Sequence, residues 1–268
     1  MNNFNSNDFF KTLADRGIRM NPAQQQRIQD KIRSVLNYEP RIGILGKSGV
    51  GKSSLCNALF GRDICEISDV AACTRNPKEV LLNMGNGNGI KLIDMPGIAE
   101  SAERDREYAK LYKQLLPEID LVLWILKADE RAYSADETFY RDIIKPHIKQ
   151  GKPIFFVVNQ SDKIEPYDEW DRSANCPGYR QSRNLESKIN AVSKYFNVAE
   201  SIIIAISSKT KYNLSRLIDE IVFALPREKK ITFLQAVPEG NRSAGSIVAV
   251  KKAWWEILGE VILSIVET

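Results

Sequence analysis

Apolar positions along the first part of the chain recur at helical spacing and then change period. Over residues 8 to 37 they mark two helical pieces. Phe9, Phe10 and Leu13 form one apolar face. After the helix-starting pair Asn21–Pro22, residues Ile28, Ile32, Val35 and Leu36 form a second. Pro40 marks the end of that piece. From Arg41 the pattern turns into short apolar runs separated by amphipathic stretches. RIGILG is an apolar strand that runs into a glycine-rich loop and then a helix, KSSLCNALF. KEVLLNM and IKLIDM read as strands joined by GNGNG, a strong hairpin signal. LVLWILK is apolar throughout and precedes a helix reaching to about Ile148. PIFFVVN and SIIIAIS are two more buried strands, each followed by a helix. Uninterrupted apolar strands alternating with helices predict a mostly parallel sheet covered on both faces. The hairpin makes one edge strand antiparallel, which gives six strands in all. Pro226 closes the last helix of this alternation. REKKITFLQAVPEGNRSAGS reads as a linker with a turn, and AWWEILGEVILSIV as a short amphipathic helix. The expected division is a helical extension over 1–38, a sheet domain over 39–226, and a linker with a C-terminal helix over 227–268.

Composition narrows the class. The chain has 268 residues, 43% of them hydrophobic and 27% charged, which suits a globular fold with a full core. A net charge of +4 is too small for a nucleic-acid signature, so DNA is not an expected partner. Weak contact with RNA or an anionic membrane stays open. The cysteines are Cys56, Cys65, Cys73 and Cys176, with no C-x-x-C pair, and the single histidine is His147. That excludes an ordinary zinc site and fits reduced thiols in the cytoplasm. The polar start MNNFNSNDFF is not a signal peptide, and no apolar run reaches the length of a membrane span. Stable membrane insertion is therefore not expected.

The chemistry begins at GKSGVGKS, residues 46 to 53, which fits the phosphate-binding loop G-x-x-x-x-G-K-[ST]. Gly46, Gly49 and Gly51 let the backbone approach phosphate, and the N–H groups through Lys47, Ser48, Val50 and Ser54 complete an anion cradle at a helix start. Lys52 is placed to reach the β- and γ-phosphates, and the Ser53 hydroxyl to ligate Mg²⁺. Lys47 raises an alternative, because a class of dimeric ATPases carries an extra lysine at this point of the loop. DMPG at 94–97 follows a strand, where Asp94 suits a second magnesium contact and the Gly97 N–H a γ-phosphate. NQSD at 159–162 ends another strand. A carboxylate at Asp162 accepts from the N1–H and exocyclic amine of guanine, a donor pair that adenine lacks. Asn159 ties the loops together. Gln160 stands where a lysine stem would cover the ring, which points to weaker guanine affinity. SSK, residues Ser207, Ser208 and Lys209, closes over the base from a further strand end.

This order resembles the Era/TrmE/EngA group of translation-factor-like GTPases, which makes Lys47 a solvent-facing or phosphate-side residue of a GTPase loop. The resemblance is closer to the bacterial YfjP-type branch. It is carried by NQSDKIEPYDEWD from Asn159, KADERAYSADETF from Lys127 and CTRNPKEV from Cys73, and it covers about residues 25 to 226. It implies a three-layer P-loop fold of the Ras-like G-domain type that binds GTP/GDP with Mg²⁺. It also implies that Gln160 is normal for the branch. Thr74, in DVAACTR, is the first-switch candidate that ligates Mg²⁺ with the γ-phosphate present, and residues 97–107 form the second switch. Ile98 stands where Ras-like enzymes place a water-orienting glutamine, so slow intrinsic hydrolysis is expected. Gly49 replaces the asparagine that potassium-dependent GTPases use, which leaves Arg75, Arg104, Arg106 or Arg131, in cis or from a second copy, to supply charge. A rival reading is a non-hydrolysing nucleotide-dependent interaction module.

Other segments stay bivalent. Residues 163–182 are a partner-binding loop or a packed loop anchored by Trp170 and Tyr179. The C-terminal helix, with Trp254, Trp255, Ile257, Leu258, Val261, Ile262 and Ile265, docks on the N-terminal helices or a second subunit in preference to a membrane, which Glu256, Glu260 and Glu267 disfavour. His147 suits a helix C-terminus and Cys56 the core. The effector, a protein or a ribonucleoprotein, is not legible, and a homodimer stays open.

Overall fold

The computed structural model describes residues 10, 11, 14, 15, 20–61, 78–83, 89–94, 109, 110, 112–131, 133–148 and 151–266. Helix α1 (Pro22–Leu36) starts where its capping chemistry dictates. Asn21 Oδ1 accepts from the Gln24 N–H at 2.9 Å, Gln24 Oε1 accepts from the Asn21 N–H at 3.0 Å, and Pro22 occupies the first turn. Strand β1 (Arg41–Leu45) leads to helix α2 (Lys52–Phe60), followed by strands β2 (Lys78–Asn83), β3 (Gly89–Asp94) and β4 (Leu121–Lys127). Helix α3 runs from Ser134–Phe139 through a π turn at Tyr140–Ile144 into Lys145–Ile148. Pro146 lacks the N–H that would close onto residue 142, and the widened turn lies just before it. Strand β5 (Ile154–Asn159), helix α4 (Tyr179–Phe196), strand β6 (Ile203–Ala205) and helix α5 (Leu214–Ala224) complete the alternation.

The strands form one sheet in the order β2-β3-β1-β4-β5-β6. β2 is antiparallel to β3, and every other neighbouring pair is parallel. The uninterrupted apolar runs have a plain cause. Leu121, Leu123 and Ile125 of β4 enter a core shared with α1, α2 and α5, while Val122, Trp124 and Leu126 enter a second core with α3 and α4. In the second core Trp124 stacks on Phe156 at 6.0 Å between ring centroids and meets Tyr140 edge-on at 5.6 Å.

One segment departs from the sequence reading. Residues read as a linker form helix α6 (Arg227–Ala236), and the last helix, α7 (Ala244–Val266), starts earlier than its apolar run suggested. The charged start REKK hid the pattern. Ile231, Phe233, Leu234 and Val237 are fully buried, and each such burial is worth about 1.5–3 kcal/mol, enough to set the helix. These residues share one core with Ile28, Ile32 and Val35 of α1 and with Trp254, Ile257 and Leu258 of α7, so the terminal helices dock together on one face of the sheet. Trp255 is 57% exposed, unlike its neighbour Trp254. Asp120 pins the assembly. It accepts from the Tyr38 hydroxyl at 2.9 Å, the Arg41 N–H at 2.9 Å and the Lys229 ammonium at 2.5 Å. Among the described residues, no helix is long and apolar enough to cross a membrane.

Candidate functional site

The carboxyl ends of β1, β3, β4, β5 and β6 lie along one edge of the sheet, where open α/β folds bind ligands. β1 passes through residues 46–51 into α2, and Gly51 takes the residue before the helix with φ 93°. A Cβ on Gly46 would sit 2.4 Å from the Ile125 carbonyl oxygen, and one on Gly51 would sit 2.5 Å from Asn159 Nδ2, so larger residues cannot hold these turns. Gly46→Ala should cost about 2–4 kcal/mol of stability in urea unfolding; a loss below about 1 kcal/mol would show that the loop relaxes freely. Lys52 folds back over the loop, its ammonium donating to the carbonyls of Gly46 at 3.0 Å and Lys47 at 3.2 Å. Ser53 and Ser54 are half-buried in the first turn of α2, Ser48 and Gly49 are exposed, and Val50 is core.

Asn159, at the end of β5, is 1% exposed and joins three stretches of chain. Its Nδ2 donates to the carbonyls of Val50 at 3.0 Å and Gly51 at 3.5 Å. Its Oδ1 accepts from the Ser208 N–H at 3.0 Å and hydroxyl at 2.9 Å. Gln160, in the left-handed region with φ 61°, adds a second tie, donating to the Gly49 carbonyl at 3.3 Å and accepting from Lys163 at 3.0 Å. Asp162 has a buried Oδ1 with no hydrogen-bond partner among the described residues. Its side chain lines a cavity of about 1070 Å³ with Asp129, Lys163, Trp170, Lys209 and Thr210. An orphaned carboxylate oxygen on a residue that borders such a space calls for a ligand that brings N–H donors. The Ser207 hydroxyl accepts from the Thr210 N–H at 3.2 Å and shapes the same rim.

β3 ends at Asp94, whose Cα pairs in register with Ile44, two residues before the glycine loop. Thr74, Gly97 and the two switches lie outside the described residues, as do Ile98, Arg75, Arg104 and Arg106. Lys47 is placed differently from either orientation expected of it. Its ammonium is 2.5 Å from Asp136 Oδ2 and 2.6 Å from Glu130 Oε1, both acids of the segment after β4. Burial disfavours the Lys47 charge, yet the facing carboxylates of Asp136 and Glu130 outweigh it and hold the group above its ordinary value. Burial also pushes the Asp136 carboxyl up, with Lys47 pulling back against it. Even the nearer of these acids in sequence, Glu130, lies 83 positions from Lys47, too far for any local spacing to reveal. The sequence hint was a lysine inside the loop facing a run, ADERAYSAD, that carries its acids after a strand end.

The segment 163–182 packs against the 207–213 loop. Trp170 meets Tyr212 edge-on at 5.2 Å, and Asn175 donates to the Thr210 carbonyl at 2.9 Å. Tyr179 is 76% exposed and, among the described residues, does not anchor the loop, because Gly178 ends the loop and starts α4 with the ring outward. Lys188 of α4 donates to the Glu130 carbonyl and lies 4.5 Å over the Tyr133 ring. Burial pulls its ammonium down to about 8. Between that value and the ordinary lysine value the unfolded chain binds more protons, so this group makes stability rise with pH across that window. The urea midpoint of the parent relative to Lys188→Met should therefore climb between about pH 8 and pH 10. A difference that stays flat or falls would contradict the assignment.

A glycine-rich loop between strand and helix, tied through Asn159 to a base-side cavity on a β-α sheet of this order, defines a nucleotide-binding P-loop protein. The family described as 50S ribosome-binding GTPase matches residues 41–160. The chain belongs to the Era-like P-loop GTPases, in the branch of YfjP and YkfA. It is 39% identical to YkfA of Escherichia coli (strain K12) over 90% of this chain and 81% of that protein. It is 41% identical to YfjP of the same organism over 88% and 80%. Among solved structures it resembles a point variant of Aquifex aeolicus Era bound to GDP·AlF4⁻, with a TM-score of 0.53, 32% identity, 69% of this chain covered and 56% of that one. The likeness to Era thus spans little more than half of Era's length.

Proposed function

We propose that the chain binds GTP and GDP with Mg²⁺, hydrolyses GTP slowly and works as a nucleotide-dependent switch. The observation that carries this reading is the Asn159 junction. It draws the phosphate loop and the 207–209 loop together beside a cavity lined in part by Asp162, one of whose carboxylate oxygens is buried without a partner among the described residues. Guanine brings the two N–H donors that this oxygen and its partner can accept. Gln160 supports the reading as well, since it ties Gly49 to the base side without needing a lysine. The N–H groups of residues 46–54 would hold the phosphates, and Lys52 would lie against the β- and γ-oxygens. Ser53, Asp94 and, in the GTP state, Thr74 would hold Mg²⁺, which supplies neutralising charge between those oxygens. Gly97 would offer its N–H to the γ-phosphate. The rate comes from position and charge, and with Ile98 next to Gly97 no side chain there orients water, so turnover is slow. We take residues 39–226 as the nucleotide-binding domain and the docked helices at both ends as an appendage to it. An Era structure holds MgGDPNP and a segment of 16S ribosomal RNA; this supports magnesium-nucleotide chemistry and makes a ribonucleoprotein a reasonable effector class beside a protein one. The reading places the chain in the cytoplasm.

GTP hydrolysis per protein molecule, measured over a wide protein concentration range with ATP as control, tests this. A slow, flat rate with GTP alone is expected of a monomeric switch. A rate per molecule that climbs with concentration would place an arginine across a homodimer. No phosphate release despite GTP binding would favour the non-hydrolysing module, and equal rates with ATP would refute the guanine reading.

A further inference from the structure

The phosphate loop is anchored by a group that lies outside every nucleotide-binding motif. We propose that Asp136, assisted by Glu130, is a positioning residue for the phosphate site and acts through Lys47. The proposal rests on the nucleotide-binding reading above.

Three observations carry it. First, Asp136 is completely buried in the first turn of α3. A buried carboxylate is costly unless a cation meets it. Here the cation reaches it from the phosphate loop, with Lys47 Nζ at 2.5 Å from Asp136 and 2.6 Å from Glu130. Second, the main chain of the same lysine touches the catalytic lysine. The Lys47 carbonyl accepts from Lys52 Nζ at 3.2 Å, beside the Gly46 carbonyl at 3.0 Å. Third, the Lys47 carbonyl and the Ser48 N–H belong to one rigid peptide plane. Holding the Lys47 side chain restrains the Cα from which that plane extends, and with it both the acceptor that parks Lys52 and the direction of a phosphate-binding N–H. The chain of influence runs from the Asp136 carboxylate to the Lys47 ammonium, then to the Lys47–Ser48 peptide, then to Lys52.

The loop that supplies these acids is itself held. Glu130 accepts through its carbonyl from Lys188 of α4, and Asp129 lines the base cavity. Anchorage thus comes from the body of the domain. Loss of it should loosen the phosphate end of the site and leave base reading by Asp162 untouched.

The test is GDP and IDP binding by calorimetry, with Mg²⁺, for the full chain and for Asp136→Asn, Lys47→Met and the double variant. IDP lacks the exocyclic amine and so reports on Asp162 alone. Each single change is expected to weaken GDP binding about tenfold by misplacing the loop. The double variant is expected to bind like either single one, because both changes break the same link. The ratio of GDP to IDP affinity should stay within about twofold of the parent. Lys47→Arg should restore most of the affinity, and Glu130→Gln, which removes the less buried acid, should give a smaller loss in a folded protein. Thermal unfolding without nucleotide checks that each variant is folded. Unchanged GDP binding in Asp136→Asn, losses that multiply in the double variant, or a GDP-to-IDP ratio that collapses would overturn the proposal while the parent still binds GDP. A parent chain that binds no guanine nucleotide would overturn the functional reading, and this inference with it.

Discussion

Replacing Lys52 with alanine should lower the single-turnover rate of GTP hydrolysis by roughly 10²- to 10³-fold, the usual cost of removing one preorganised charge from a developing phosphate oxyanion. The ammonium is parked on the Gly46 and Lys47 carbonyls at the head of α2, within the loop that would wrap the phosphates. A flexible surface lysine would have to be ordered on binding, and this one is already ordered. Both carbonyl contacts are part-buried, so urea midpoints of parent and variant, measured alongside, separate any loss of stability from the loss of rate. Phosphate release within about threefold of the parent would show that some other cation does the work. GTP affinity should fall as well, since the same charge meets bound nucleotide before reaction.

Asp162→Ala should weaken guanine nucleotide binding by roughly 10²- to 10⁴-fold, from the loss of two charge-assisted hydrogen bonds at about 1.5–3 kcal/mol each. Discrimination should fall with it. The parent should reject adenine nucleotides because their amine and ring nitrogen present the wrong pattern to a carboxylate, and the variant should no longer tell the two bases apart. Stability should move little or improve, because Oδ1 is buried without a partner among the described residues. Competition between GDP and ADP for a fluorescent nucleotide measures both effects. Unchanged selectivity in a folded variant would remove Asp162 from base reading.

Much of the fold was written in local pattern. The apolar runs of β1, β4 and β5, the antiparallel pairing of β2 with β3, and the Asn21–Pro22 start of α1 each follow from spacing within about ten residues. The loops at 46–53, 159–162 and 207–209 were legible for the same reason, since each follows a strand directly. What could not be read depends on contacts between distant residues. Helix α6 exists because Ile231, Phe233 and Leu234 meet α1 and α7, and its own composition looks like a linker. The direction of Lys47 is not legible in its own loop, because its partners Glu130 and Asp136 lie beyond the next three strands. Of the two rings that a packed 163–182 loop would use, Trp170 packs and Tyr179 does not, because the helix phase set by Gly178 turns it out. In each case the residue type was visible and its direction was not.

In the proposed function one guanine nucleotide sits across the Asn159 junction, phosphates on residues 46–54 and base against Asp162. Calorimetric titration of the full chain with GDP and with ADP, in the presence of Mg²⁺, tests it most directly. One GDP site per chain is expected, with ADP binding at least about a hundredfold weaker, as a carboxylate that pairs with the base demands. Equal affinity for the two nucleotides, or no binding of GDP, would contradict it.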